Sequence, residues 1–333
     1  MDQLQFNQMN ARLSVYETKL LQGAKFEQML SATDAAAVIR LLAETEYGDV
    51  IEVGASPYEY ERILEKELSR VYKMAYDLSP VKGMVDIFAL NYDYHHLKVL
   101  TKEKLSGKDL NHLLLPITRT PIEQLRQAVF SMEGTGLDGT MAESVAAVFS
   151  YFEEYEDVQS IDVIYDRYYL RELRELADTM NDAGASHIVE TMIDTINLST
   201  LLRCMAQKKS IGFLNAVLSS YGGIEKQELI RLSALSYEDI ARHFEASDYA
   251  ELISEAVKEI GETGKMTHYD LLKDNFFMSY LKKAKFDVFG PRTLLAYLYA
   301  KETEIKNIRM ILVGKINHLP EPFIRERMRE SYV

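Results

Sequence analysis

The chain has 333 residues, 47% of them apolar, which is enough for a large core and, by length, for two or three domains. A formal net charge of -13 argues against a nucleic-acid phosphate backbone as partner and favours basic protein surfaces. One cysteine, Cys204, excludes an internal disulfide and fits a reducing compartment.

Seven prolines and sixteen glycines are few, and no proline lies between Pro121 and Pro291, so long helices can run there unbroken. The start, MDQLQFNQMNARLSVYETKLLQG, lacks the basic opening and apolar core of a signal peptide. It reads as an amphipathic helix with Leu13, Tyr16, Leu20 and Leu21, ended by Gly23. A short helix with Phe26, Met29 and Leu30 follows, then one capped by Thr33 or Asp34 that closes at Tyr47-Gly48. From Tyr58 a helix runs through Ile63, Leu64, Leu68, Val71 and Tyr72 until Ser79-Pro80 breaks it. A longer helix continues to about Leu105, and Gly107 and Pro116 mark its exit.

Thr120-Pro121 offers an N-cap followed by proline at the first helical position. The turn 134–140, GTGLDGT, separates that helix from one holding Val145, Val148, Phe149 and Phe152. A tyrosine-rich helix spans Ile161 to Leu176 and stops at 181–184, Asn-Asp-Ala-Gly; the next runs from His187 to about Gln207. The uncharged run Ser210 to Ile224 carries Asn, Ser and Gly and is shorter than the ~20 residues a spanning helix needs. After Gly222-Gly223 the pattern restarts and ends in a long helix within Leu294 to Leu319. Beyond Pro320 and Pro322, Arg325, Arg327 and Arg329 alternate with Glu326 and Met328, which reads as a solvated helix end.

One pattern occurs three times. Asp93, His96, Leu97 and Leu100 match Asp194, Asn197, Leu198 and Leu201, and again Glu304, Asn307, Ile308 and Ile311. At 100° per residue these four project from one face of a helix. Apolar pairs ahead of each acid point elsewhere, so each segment reads as a buried central helix. The acid and the amide or imidazole then need partners, either each other or a neighbouring helix. The preceding helix recurs too, as Ile63-x-Glu65-x-x-Leu68, Ile164-x-Asp166-x-x-Tyr169 and Leu272-x-Asp274-x-x-Phe277. Likewise 30–32 matches 232–234, and Thr45-Glu46-Tyr47 matches Ser247-Asp248-Tyr249 at the same separation. Whole units therefore recur: 1–118, 119–212 and 213–333. Each is far longer than a tetratricopeptide, HEAT or armadillo repeat, so a triplicated all-α bundle is expected.

No catalytic, cofactor or metal motif emerges. The Gly-Lys pairs at 107, 264 and 314 lack the remainder of a phosphate loop, and no glycine fingerprint follows a strand. Asp93-x-x-His96 and Asp109-x-x-His112 have a spacing found in bundle metal sites, but the equivalents of His96 are asparagines, which points to hydrogen bonding. Cys204 beside Leu201 and Leu202 reads as an inert buried thiol. The acids at 153–157 read as a solvated helix end, and the twenty-one tyrosines as core and interface groups without the basic background of a nucleic-acid surface.

The segments RLLAETEYG, NYDYHHLKVL and above all LLAYLYAKETEIKNIRMILVGKINHLPEPFIRERMRESYV resemble the C subunit of the bacterial and archaeal V-type or A-type rotary ATPases, the counterpart of the eukaryotic V-ATPase d subunit. The resemblance covers essentially the entire chain. It implies three similar bundles about a pseudo-threefold axis in a funnel-shaped protein without catalysis or cofactor. It also implies a seat on the cytoplasmic face of the membrane proteolipid ring, where the protein receives the shaft, made of the D and F subunits. Such a protein is peripheral and touches the membrane only through the ring. Asp93, His96, Asp194, Asn197, Glu304 and Asn307 are then repeat-equivalent structural positions. A generic cytosolic helical scaffold for protein–protein binding is the competing reading, separated by co-purification with the shaft or ring. A helical metal enzyme is a third, separated by elemental analysis.

Overall fold

The computed structural model describes residues 3–52, 54, 56–283 and 290–333. They are helical, joined by turns, with no strand among them. In chain order the helices are α1 (Asn7–Glu17), α2 (Gly23–Leu30), α3 (Ala35–Ala43), α4 (Tyr60–Leu78), α5 (Lys82–Ser106), α6 (Ile122–Ser131), α7 (Gly139–Tyr155), α8 (Gln159–Met180), α9 (Ala183–Ala206), α10 (Ile211–Val217), α11 (Lys226–Leu232), α12 (Tyr237–Phe244), α13 (Ala250–Thr263), α14 (Tyr269–Lys282), α15 (Arg292–Ile316) and α16 (Glu321–Arg325). The three central helices of the repeat are α5, α9 and α15.

Local chemistry sets most boundaries. Asp34 caps α3 by accepting from Ala37 N–H, Asp182 caps α9 through Ala185 N–H, and Ser236 caps α12 through Asp239 N–H. Ser79, ahead of Pro80, is extended and ends α4. Asn181 ends α8 in the left-handed region, which asparagine tolerates better than most residues. Three expectations need correction. Gly23 opens α2 rather than ending α1, which stops at Glu17. Thr120 is no cap: the cap position falls on Pro121, without a side-chain bond. Ala183 and Gly184 belong to α9, since the Asp182 cap starts that helix before His187.

The chain forms two compact units, one of residues Asp86–Tyr269 and one combining 2–85 with 270–333. In the first, α7 and α8 pack closely and α8 lies on α9. Tyrosine fills much of the space: Tyr94 meets Tyr165 and Tyr169 edge-on, with ring centroids 6.3 and 5.7 Å apart. The hydroxyls are satisfied, Tyr94 donating to Glu172 and Tyr165 sharing a bond with Thr101.

In the second unit α15 packs on α4, with α1, α2 and α3 against its other sides. Its core joins residues far apart in sequence, including Phe26, Leu30, Leu42, Ile63 and Leu64 with Ile305, Ile308 and Ile311. The apolar periodicity of α4 and the all-round apolarity of α15 explain why one lies at an edge and the other in the middle. Burying a leucine or isoleucine contributes about 1.5–3 kcal/mol, so this core ties the chain's beginning to its end.

Candidate functional site

The repeated positions build one recurrent device, a joint where each central helix holds backbone of a neighbouring segment. Asp93 is buried on α5 and accepts from Thr118 Oγ1 (2.8 Å), Arg119 N–H (2.9 Å) and Thr120 N–H (3.2 Å). Asp194 on α9 accepts from Ile224 N–H (3.0 Å) and the Tyr249 hydroxyl (2.8 Å). Glu304 on α15 accepts from Leu21 N–H (2.5 Å), the Tyr47 hydroxyl (2.8 Å) and Lys301 Nζ (2.7 Å). Tyr47 and Tyr249 are the repeat-matched pair, and here they do the same work. The first two acids hold the chain just after their own central helix, and the third reaches back to the chain's beginning.

Burial pushes the carboxyls of Asp93 and Asp194 upward, while the surrounding N–H and hydroxyl donors pull them back. A carboxylate can accept several backbone N–H bonds at once, so it suits a place where a loop would otherwise bury orphan donors.

The residue three positions on makes a second bond set, to backbone and not to the acid. Asn197 grips Ser219 from both sides: Oδ1 accepts from Ser219 N–H (2.9 Å) and Nδ2 donates to Ser219 O (3.0 Å). Asn307 does the same to Arg329, at 2.8 and 2.9 Å, also twenty-two residues ahead in sequence. His96 performs half of this, its Nε2 accepting from Leu115 N–H at 3.1 Å while Nδ1 is buried without a partner. Desolvation lowers its pKa to about 4, so the ring is neutral at physiological pH, as an acceptor must be. Its neighbour His95 reaches the same exit loop, Nε2 being 2.9 Å from Leu113 O.

The metal reading of Asp93 and His96 loses its geometry here, since their contacting atoms face backbone N–H groups. Asp109 turns onto Asn111. Among the described residues no cluster of three or more His, Cys, Asp or Glu is arranged to hold a metal ion. Cys204 is buried, and burial raises its thiol pKa. The terminal arginines are more engaged than a solvated helix end: Arg325 forks onto Glu27 (2.5 and 2.7 Å) and Arg329 donates to Asp274 (2.9 Å). Among the described residues no helix is long and apolar enough to cross a membrane.

Sequence reasoning missed Lys301 and Glu67. Both are buried, with Lys301 Nζ 3.2 Å from Glu67 and 2.7 Å from Glu304. A lysine inside the apolar run LLAYLYAKETEI, and a glutamate on the apolar stripe of α4, were the available signals.

Comparison with known proteins places the chain in a family. Residues 9–327 match the family described as ATP synthase (C/AC39) subunit. The chain belongs to this family. It is 31% identical to the C subunit of the V-type sodium ATPase of Enterococcus hirae over 99% of both chains. It is 29% identical to the C subunit of the A-type ATP synthase of Methanocaldococcus jannaschii, over 95% of this chain and 84% of that one. The C subunit of the A-type ATP synthase of Thermococcus kodakarensis is 24% identical, over 91% and 84% respectively. Membership of this V/A-type ATPase family accounts for an all-helical chain with a role in a rotary ATPase.

Proposed function

We propose that this chain is the non-catalytic socket of the central stalk, linking the D and F subunits of the shaft to the proteolipid ring on the cytoplasmic face of the membrane. The observation that carries this reading is the family match along nearly the full length of both this chain and its enterococcal relative. The three repeat units would then form bundles about a pseudo-threefold axis, the arrangement the family resemblance implies. The joints support a torque-bearing role: a part that passes rotation must not yield where helices meet, and buried carboxylate and amide bonds to backbone stiffen those points.

In this reading acidic side chains attract basic groups of the shaft tip, while apolar and aromatic groups contact the ring's loops. The coupling ion, proton or sodium, is set by the ring. The test is reconstitution of the purified chain with a D–F shaft and with detergent-solubilised ring. Stoichiometric binding to both is expected, with shaft binding weakened by salt and by reversal of several exposed carboxylates. Failure to bind either component would overturn the proposal.

A further inference from the structure

The joints at Asp194 and Glu304 are built alike except for one buried pair. Asp194 is satisfied by backbone N–H and the Tyr249 hydroxyl, and no Lys or Arg pairs with it among the described residues. At Glu304 the same donors recur, and Lys301 is added, its side chain 2% exposed and bridging to Glu67, which is 0% exposed. Lys301 also lies over the Tyr47 ring, 5.0 Å from its centroid, and Glu67 is forked by Arg70 at 2.8 and 2.9 Å. In the other two copies the positions of Lys301 are taken by Leu90 and Thr191, and those of Glu67 by Tyr168 and Phe276. The α5–α8 pairing has its own charged links, with Arg119 of the exit loop joining Asp93 to Glu172 and Lys98 and Lys102 meeting Asp166 and Asp162, but among the described residues a lysine–glutamate pair buried at these positions occurs only between α15 and α4.

Its presence is not explained by stability. Moving two ions out of water costs several kcal/mol each, and their attraction rarely does more than offset it, so an apolar pair of similar size would hold at least as well. Nor does the acid need the lysine, as Asp194 shows. What the pair supplies is discrimination. Three related central helices and three related preceding helices share apolar faces, and hydrophobic packing accepts many volume-conserving swaps. If α15 docked on α8 or α14 in equivalent register, the Lys301 ammonium would face Tyr168 or Phe276; if α4 docked on α5 or α9, Glu67 would face Leu90 or Thr191. In each wrong choice Lys301 keeps only Glu304 and Glu67 only Arg70, each a partner on its own helix, and the bridge between the helices is lost; the right choice adds it.

We propose that Lys301 and Glu67 form a pairing key, which makes the last central helix select the first unit's α4 over its two homologues and so fixes how the ends of the chain come together during folding. This key acts on folding fidelity and is independent of the stalk reading.

The experiment compares the full chain with the double variant Lys301→Met/Glu67→Leu. In both, Cys204→Ala is combined with Glu61→Cys and Arg309→Cys, which replace an ion pair between α4 and α15 whose atoms are 2.8 Å apart. Each protein is refolded from denaturant and bridged with a short bis-maleimide. The expected result is a several-fold lower yield of the native 61–309 bridge in the double variant, while its natively folded fraction melts at the same temperature or higher. An Ile311→Val chain with the pair intact controls for simple destabilisation and should bridge like the parent. Unchanged bridging in the double variant would overturn the key. So would a double variant that melts much lower or fails to fold, since the pair would then be a stabilising element.

Discussion

The exit joints of α5 and α9 lie in the same compact unit, and they solve one problem with different side chains. Asn197 has a donor and an acceptor and saturates both polar groups of the buried Ser219 backbone. His96 spends one ring nitrogen on Leu115 N–H and leaves the other buried without a partner, and it can hold that N–H only while neutral. An amide therefore gives a joint indifferent to pH, and an imidazole gives one that acid can open. The acids differ in a parallel way: Asp93 gathers three neighbouring donors of one loop, whereas Asp194 draws one loop and a distant tyrosine together.

The largest effect is expected at the third joint, where the logic of the other two is carried furthest. Glu304→Leu would strand Leu21 N–H and the Tyr47 hydroxyl and leave Lys301 buried with Glu67 alone, at a cost of about 3–5 kcal/mol. Chemical denaturation measures this. The melting temperature should fall far more than affinity for the shaft changes; the opposite ranking would make Glu304 an interface residue and break the analogy between joints.

Next comes a direct comparison of the two exits. Asn197→Leu strands a buried N–H and C=O together and should destabilise by about 2–4 kcal/mol, roughly twice the loss in His96→Leu, where one N–H is orphaned and one unpaired nitrogen is removed. Equal losses would mean that the second bond of the amide contributes nothing.

Much of this was legible beforehand, and what was not has a common cause. The acid and the residue three beyond it share a helix face, so a repeated buried polar position could be read from Asp93, Asp194 and Glu304. Their backbone partners could not, because Leu21, Ser219, Ile224 and Arg329 contribute main-chain atoms and the path of a loop leaves no periodic trace in side chains, whereas Tyr47 and Tyr249 stand out as a repeated pair. Gly23 shows the same limit: glycine before a helix and after one look alike when only the pattern is known. Lys301 was visible as a misfit, but its meaning required knowing that α4 supplies Glu67.

A pH titration sharpens the histidine side of the comparison. The His96 pKa is about 6.5 unfolded and about 4 folded, so the unfolded chain binds the extra proton. The stability tied to its neutral ring is intact above pH 6.5 and is lost as pH falls toward 4, by up to roughly 3 kcal/mol. Asp93 and Asp194 act in the other direction: with folded pKa values above the unfolded ones, their contribution is fully present below about pH 4 and fades as pH rises through the folded values. His96→Asn should flatten the loss between pH 6.5 and 4 while leaving that carboxylate trend intact. An unchanged acid limb would show that the imidazole does not gate the joint.

The smallest effect probes how closely the second joint is fitted. A Cβ on Gly222 would overlap Asp194 Oδ1, the atom that accepts from Ile224 N–H, and would crowd the Ile193 side chain. The carboxylate would have to rotate and lengthen that bond, so Gly222→Ala should cost about 1–2 kcal/mol, within the range of a weakened charged hydrogen bond. Gly136 offers the contrast: it has a positive φ of 90° but nothing within 4 Å of an added Cβ, so Gly136→Ala tests backbone strain alone. Amide exchange distinguishes the two, because Gly222→Ala should expose Ile224 N–H selectively, whereas Gly136→Ala should leave it protected. If Ile224 stays protected in Gly222→Ala, Asp194 can shift without releasing the loop, and the second joint is less rigid than its bond lengths indicate.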